Sequence, residues 1–242
     1  MTTKKVVKKQ ETSVATIEIP EGYNIELSQD DIKTPSILLY QKMSDMIEFE
    51  DTGVKAGDFV NPVTGDNLGT SFEAAIIKPY VTARIFGEPD ESGRKTTIRF
   101  SRDGRVWDDG SRIQPNEFMW TEDGSHALKS YHYLVLVKGT DTPAMVTFKG
   151  ASAKFAKTLN ANVIYMRPSW RTWFKFVSSV EEKGGNKYHV IQTKAQPKSV
   201  IDPKTASLAF SLYQSLVSGE ATISSSEMEK EEFDGESVEF SN

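Results

Sequence analysis

The sequence predicts a mainly β fold: a small closed β-barrel with one inserted helix, a C-terminal helix and disordered termini. Three observations predict it. Short runs of aromatic and β-branched residues recur between Gly, Asn and Pro turn signals. Strand and helix patterns do not alternate, so a parallel sheet of crossover units is not expected. Helical spacing emerges in only two late segments.

Taken in order, residues 1–24 are polar and patternless and predict a disordered, basic N-terminal segment, with Lys4, Lys5, Lys8 and Lys9 in its first ten residues. Pro35–Tyr40 is the first apolar run, a buried strand or a short helix. Gly53, Gly57, Asn61-Pro62, Thr64-Gly65-Asp66 and Gly69 mark turns between short strands. Phe72–Phe86 reads as one long strand, and Pro79 within it requires an edge position or a bulge, because proline cannot donate to a ladder. Thr96–Ser101 is a strand followed by the turn signals Asp103-Gly104 and Asp108-Asp109-Gly110. Ser130–Lys138 and Pro143–Phe148 form a hairpin about Gly139–Thr142.

Ser152–Asn160 switches to helical spacing, with Phe155, Ala156 and Leu159 on one face. Trp170–Ser179 and Lys187–Lys194 read as strands joined through Glu181–Asn186. Asp202 as N-cap and Pro203 in the first turn open a final helix whose apolar face is Leu208, Leu212 and Leu216, and Gly219 ends it. These elements amount to six to eight strands and two helices. They divide the chain into a β-rich domain over 25–200, a helix over 201–223 and a disordered acidic tail over 224–242. Antiparallel strands with an inserted helix suit an OB-fold-like barrel, whose strand face and loops bind single strands.

The chain has 242 residues, of which 38% are hydrophobic and 26% charged, enough for a substantial core without covalent staples. The absence of cysteine removes disulfides, thiolate zinc sites and cysteine nucleophiles, and fits a reducing, cytoplasmic setting. The lysine-rich start has no apolar run behind it, which argues against a secretory signal. No stretch of apolar residues is long enough to span a bilayer as a helix, so no membrane partner is expected. The net charge of −5 is carried largely by the tail, where seven acids and one base lie between Ser224 and Asn242. A nucleic-acid surface therefore requires local clustering of cations.

Such clusters exist, interleaved with aromatics. One contains Tyr80, Arg84, Phe86, Arg94, Lys95, Arg99, Phe100, Arg102, Arg105, Trp107 and Arg112; the other contains Lys149, Lys154, Arg167, Trp170, Arg171, Trp173 and Lys175. Single-stranded nucleic acid needs both residue types, aromatic rings for unstacked bases and cations for phosphates. Strand alternation puts Arg105 and Trp107 on one face, and likewise Arg171 and Trp173. The DNA-binding candidates are Tyr80, Arg84, Arg99, Arg102, Arg105, Trp107, Lys154, Arg171, Trp173 and Lys175. The competing reading of each aromatic is core packing.

The acidic tail supplies a second motif. Glu231, Glu232, Phe233, Asp234, Glu239 and Phe240 combine charge with aromatic anchors, although Phe240 is followed by Ser241 and Asn242. With the β-rich plan from Pro35 onward and the turn-rich stretch Gly57–Gly69, the chain resembles phage-encoded single-stranded DNA-binding proteins of replication and recombination. That resemblance implies an OB-fold, sequence-independent binding, no cofactor, and a tail that competes for the basic groove or docks on replication or recombination proteins. It also implies the host cytoplasm as setting, and a homo-oligomer is possible.

No catalytic site emerges. His126, His132 and His189 lack ligand spacing and read as structural histidines, and no phosphate-binding loop, nucleophile elbow or dinucleotide fingerprint is present. Asp90 with Glu181, Glu182 and Lys183 loosely matches the acids and lysine of a Mg²⁺-dependent nuclease, but the later group adjoins Gly184-Gly185 in a hairpin tip. The leading expectation is therefore a non-enzymatic DNA-binding protein. The alternatives are a virion-associated or self-assembling structural protein and, behind it, the nuclease.

Overall fold

The computed structural model describes residues 35–41, 53–89, 91, 95–119 and 126–219. The expected disordered ends, 1–24 and 224–242, lie outside these residues. The fold is mainly β, as the sequence predicts. Its strands are β1 (Ser36–Leu39), β2 (Phe59–Asn61), β3 (Asp66–Gly69), β4 (Ser71–Pro89), β5 (Lys95–Ser101), β6 (Leu128–Val137), β7 (Pro143–Phe148), β8 (Thr172–Lys183) and β9 (Asn186–Val200). Its helices are α1 (Ala153–Tyr165) and α2 (Pro203–Ser218).

The strands form one sheet in the order β3-β2-β1-β7-β6-β4-β8-β9, with β5 added to β4. All neighbours are antiparallel except β1 and β7. Among the described residues no ladder joins β3 to β9, so the sheet is a curled half-barrel rather than a hydrogen-bonded closed one. The curl is drawn together by a side chain. Gln41, just past β1, donates from Nε2 to the His189 carbonyl at 2.8 Å and accepts the His189 N–H on Oε1 at 3.0 Å. Two residues along β9, the Ile191 N–H donates to Ser152 Oγ at 3.0 Å. The outward backbone groups of this edge strand are thus occupied at both points, which discourages pairing with another chain.

β4 runs for 19 residues and organises the sheet. Its first residues pair with β8, its middle with β6 and its last with β5. The register slips between Ile76 and Lys78, so the bulge foreshadowed by Pro79 is present. Alternation then sorts β4 between two layers. Phe72, Ala74 and Ile76 face the main core with Phe59, Tyr133, Phe148, Phe174 and Phe176, closed by Ala156 and Leu159 of α1. Phe72 stacks on Phe176 with ring centroids 4.8 Å apart, and Phe59 meets Phe72 edge-on at 5.0 Å. On the opposite face, Ile77, Leu134, Leu136 and Met145 receive Leu208, Leu212 and Leu216 of α2. Burying a side chain of this kind contributes about 1.5–3 kcal/mol, which makes the two helix–sheet layers the main source of stability.

Local chemistry sets the bounds of α2. The Asp202 carboxylate accepts the Thr205 N–H at 3.0 Å, Pro203 follows it, and Gly219 is left-handed at φ 79°. α1 runs five residues beyond the predicted Asn160, to Tyr165. Among the described residues no helix is long and apolar enough to cross a membrane.

Candidate nucleic-acid interface

Between β5 and β6 the described residues 102–119 and 126–127 form an excursion that folds back over the far half of β4. Trp107 and Ile113 cover Ala83 there, together with Ala127. The first turn of this excursion is fixed by Asp103. Its Oδ1 accepts the N–H groups of Arg105 at 2.7 Å and Val106 at 2.9 Å, and the Ser101 hydroxyl donates to it at 3.1 Å. The bonds from Val106 and Arg105 hold the Asp103 carboxyl below its ordinary pKa. Gly104 has φ +67°, and a Cβ on it would come within 2.7 Å of Val81 Cγ1, so only glycine lets the turn lie this close to β4. The result is that Arg105 projects beside the sheet.

Two clefts flank Arg105. One, of about 380 Å³, is lined by Gly104, Arg105, Arg112, Ile113, Pro115, Phe118 and Lys129. Lys129 Nζ lies 4.5 Å from the Phe118 ring centroid. No carboxylate lines this cleft, and neither Arg105 nor Arg112 forms an ion pair with another described residue. Burial lowers the pKa of the Lys129 ammonium, and the positive charges of Lys157 on α1 and of Arg105 push the same way. The second cleft, of about 490 Å³, lies between Pro79–Val81 of β4, Arg102, Asp103 and Arg105 of the turn, and Asn160, Val163 and Ile164 of α1. Together they form a groove with one cationic half and one largely apolar half. Its chemistry suits an anion with an attached apolar group.

Of the sequence-predicted residues, Tyr80, Arg102 and Arg105 line this groove. Alternation turns the Tyr80 ring to the opposite face, against the α2 layer and 5.1 Å from Lys78 Nζ; burial pushes its phenol up to about 12. The predicted tryptophan platforms are core instead. Trp107 is 2% exposed and donates from Nε1 to Glu117 Oε1 at 3.0 Å; Trp173 is 5% exposed and packs with Ala75 and Ile201. Neither presents a face to a base. The expected shared strand faces do not form: Arg105 and Trp107 lie in the excursion, one exposed and the other buried, and Arg171 lies in the turn before β8. The excursion and the β9–α2 connection cover the two indoles.

Three predicted cations are committed within the fold. Arg84 is buried, with its guanidinium 5.4 Å from the Phe100 ring centroid. Arg99 bonds to Asp109 at 2.7 Å, Ser111 at 2.6 Å and Glu117 at 3.3 Å, above the Trp107 ring. Lys154 bonds to Glu181 at 2.6 Å. Arg171 and Lys175 line neither cleft.

Sequence reading missed Lys129, Lys157, Phe118 and Asn160. Their elements are far apart in the chain, and only the excursion and α1 bring them to one place.

His132 is buried between the hydroxyls of Thr82 and Thr147, each at 2.9 Å, and His189 lies at the seam with Ser178 Oγ 3.1 Å from Nδ1. Of the nuclease-like acids, Glu181 is engaged by Lys154 and Tyr188, while Asp90 lies outside the described residues. Among the described residues no three His, Asp or Glu side chains group closely enough to hold a metal ion. The tail candidates Glu231, Glu232, Phe233, Asp234, Glu239 and Phe240 also lie outside the described residues.

No curated protein and no solved structure matches the chain. A family model described as Pam3 phage gp34-like protein matches residues 18–222, which includes both faces of the groove and both helices. The chain therefore belongs to the Pam3 phage gp34-like family, a family of phage proteins.

Proposed function

We propose that this protein binds single-stranded DNA without sequence preference during phage DNA replication or recombination, acting as a binding protein rather than an enzyme. The observation that carries the reading is the convergence of Arg105, Arg112 and Lys129 on one cleft that contains no carboxylate. Cations held at close quarters, with the Lys129 pKa lowered first by burial and then by the charges of Lys157 and Arg105, favour occupancy by a polyanion. The groove uses three separated parts of the chain, which suits a backbone track better than a point contact. Membership of a phage family is consistent with this role. The acidic tail is the expected contact for replication or recombination proteins and competes for the same cations.

The test is fluorescence anisotropy of a labelled oligo-dT across a salt series, with duplex DNA as comparison and a chain truncated after Ile223 as a second protein. The expected result is binding to the single strand, with a log–log salt slope of about −2 if three phosphates are neutralised, and tighter binding without the tail. Absence of binding at low salt by both proteins overturns the reading.

A further inference from the structure

The larger cleft is apolar except where Arg102, Asp103, Arg105 and Asn160 line it. Pro79 and Val81 form its floor, and Val163 and Ile164 of α1 form one wall; Ile164 is left 56% exposed at the mouth. On that wall stands a single oriented amide. The Tyr133 hydroxyl donates to Asn160 Oδ1 at 2.7 Å. Burial pushes the Tyr133 phenol up, so it keeps the proton that it donates. This fixes which end of the amide is engaged. Asn160 Nδ2, without a partner among the described residues, remains to donate at the cleft.

We propose that this cleft receives one unstacked base of the bound strand. The ring lies against Val81 and Ile164, Asn160 Nδ2 donates to an acceptor on the base edge, and Arg105, shared by both clefts, holds the adjoining phosphate. The inference rests on the DNA-binding reading above and adds a base-binding position to it. All four bases carry a ring nitrogen or carbonyl acceptor, so the contact tolerates any sequence. A base within a duplex is stacked and paired, and cannot enter. An apolar side chain of a partner protein would fit the walls but would leave the Asn160 amide and Arg105 unused, so a lining of apolar walls beside Arg102, Asp103 and Arg105 favours a nucleotide.

The test compares the full chain on two labelled strands of equal length, oligo-dT and its abasic counterpart, with the variants Asn160→Ala and Ile164→Ala. Neither substitution threatens the fold: Ile164 is exposed, and the Tyr133 hydroxyl retains the Ala156 carbonyl at 3.3 Å as an acceptor. A thermal melt of each checks this. The expected result is roughly tenfold tighter binding of oligo-dT than of the abasic strand, with each variant losing most of that preference while its affinity for the abasic strand is unchanged. Equal binding of both strands by the native chain overturns the base pocket and leaves the phosphate track standing. A preference that survives in both variants also overturns it, because the base is then held elsewhere. Failure to bind either strand removes the DNA reading itself, and the base pocket falls with it.

Discussion

The Gln41 side-chain amide pairs with the His189 backbone as a neighbouring strand would, donating at 2.8 Å and accepting at 3.0 Å. One residue thus substitutes for a ladder between the β1 side of the curl and the β9 edge. Gln41→Ala leaves both His189 backbone groups without this partner and is expected to lower unfolding free energy by about 1–3 kcal/mol in urea titration. Amide exchange at His189 should accelerate in step. An unchanged urea midpoint would mean that water replaces the glutamine at no cost.

The same seam predicts a difference between two glycines. Both Gly57 and Gly65 have positive φ, so alanine at either carries a left-handed penalty of about 1–2 kcal/mol. At Gly65 a Cβ meets nothing within 4 Å, whereas at Gly57 it would come within 2.5 Å of the His189 ring, which Ser178 holds. Gly57→Ala should therefore melt at a lower temperature than Gly65→Ala. Equal melting temperatures would show that the His189 ring moves aside freely.

Trp107 and Arg105, predicted together as DNA contacts, should separate by experiment. Trp107→Phe removes the indole donor from Glu117 and should cost about 1–3 kcal/mol of stability while leaving oligo-dT affinity intact. Arg105→Glu lies on an exposed turn and should change stability by less than about 0.5 kcal/mol. It should weaken oligo-dT binding roughly tenfold and make the salt slope shallower by about 0.7. The opposite pattern would return the tryptophan to the interface.

Alkaline pH should destabilise the fold through Tyr80. Burial raises its phenol from 10.0 to about 12, so the folded state holds the proton more tightly than the unfolded one. The contribution is complete below pH 10 and is lost as pH rises from 10 through about 12. Tyr80→Phe should flatten the fall in urea midpoint across that window, leaving the share due to Tyr131 and Tyr133, whose phenols burial also raises. An unchanged fall would assign the whole effect to other groups.

The legible parts of the fold were those fixed by local chemistry. Asp202, Pro203 and Gly219 bound α2 because each acts on its own backbone, and Pro79 marked the β4 bulge because proline cannot donate wherever it lies. The candidate site was legible only in part, for a physical reason. Alternation sorts residues by face only where the chain is a strand, and it does not state which face another segment covers. Arg105 and Trp107 illustrate the limit, since the excursion that turns Arg105 outward lays Trp107 onto Ala83. Lys129, Lys157 and Asn160 carry no local signal, because their significance comes from proximity across the sheet and α1. The end of α1 was misjudged because spacing alone does not mark a terminus that lacks a glycine or proline stop at Asn160.

β4 passes without interruption from beneath the phenylalanine core to the floor of the groove and on to β5. The groove is therefore not an appendage that can unfold alone, since dismantling its floor means dismantling the strand that anchors β6 and β8. A ligand held there should not merely quiet the Arg102–Arg105 turn. Its binding free energy should appear as slower amide exchange at Ala74 and Ile76, deep in the core and in contact with no part of it.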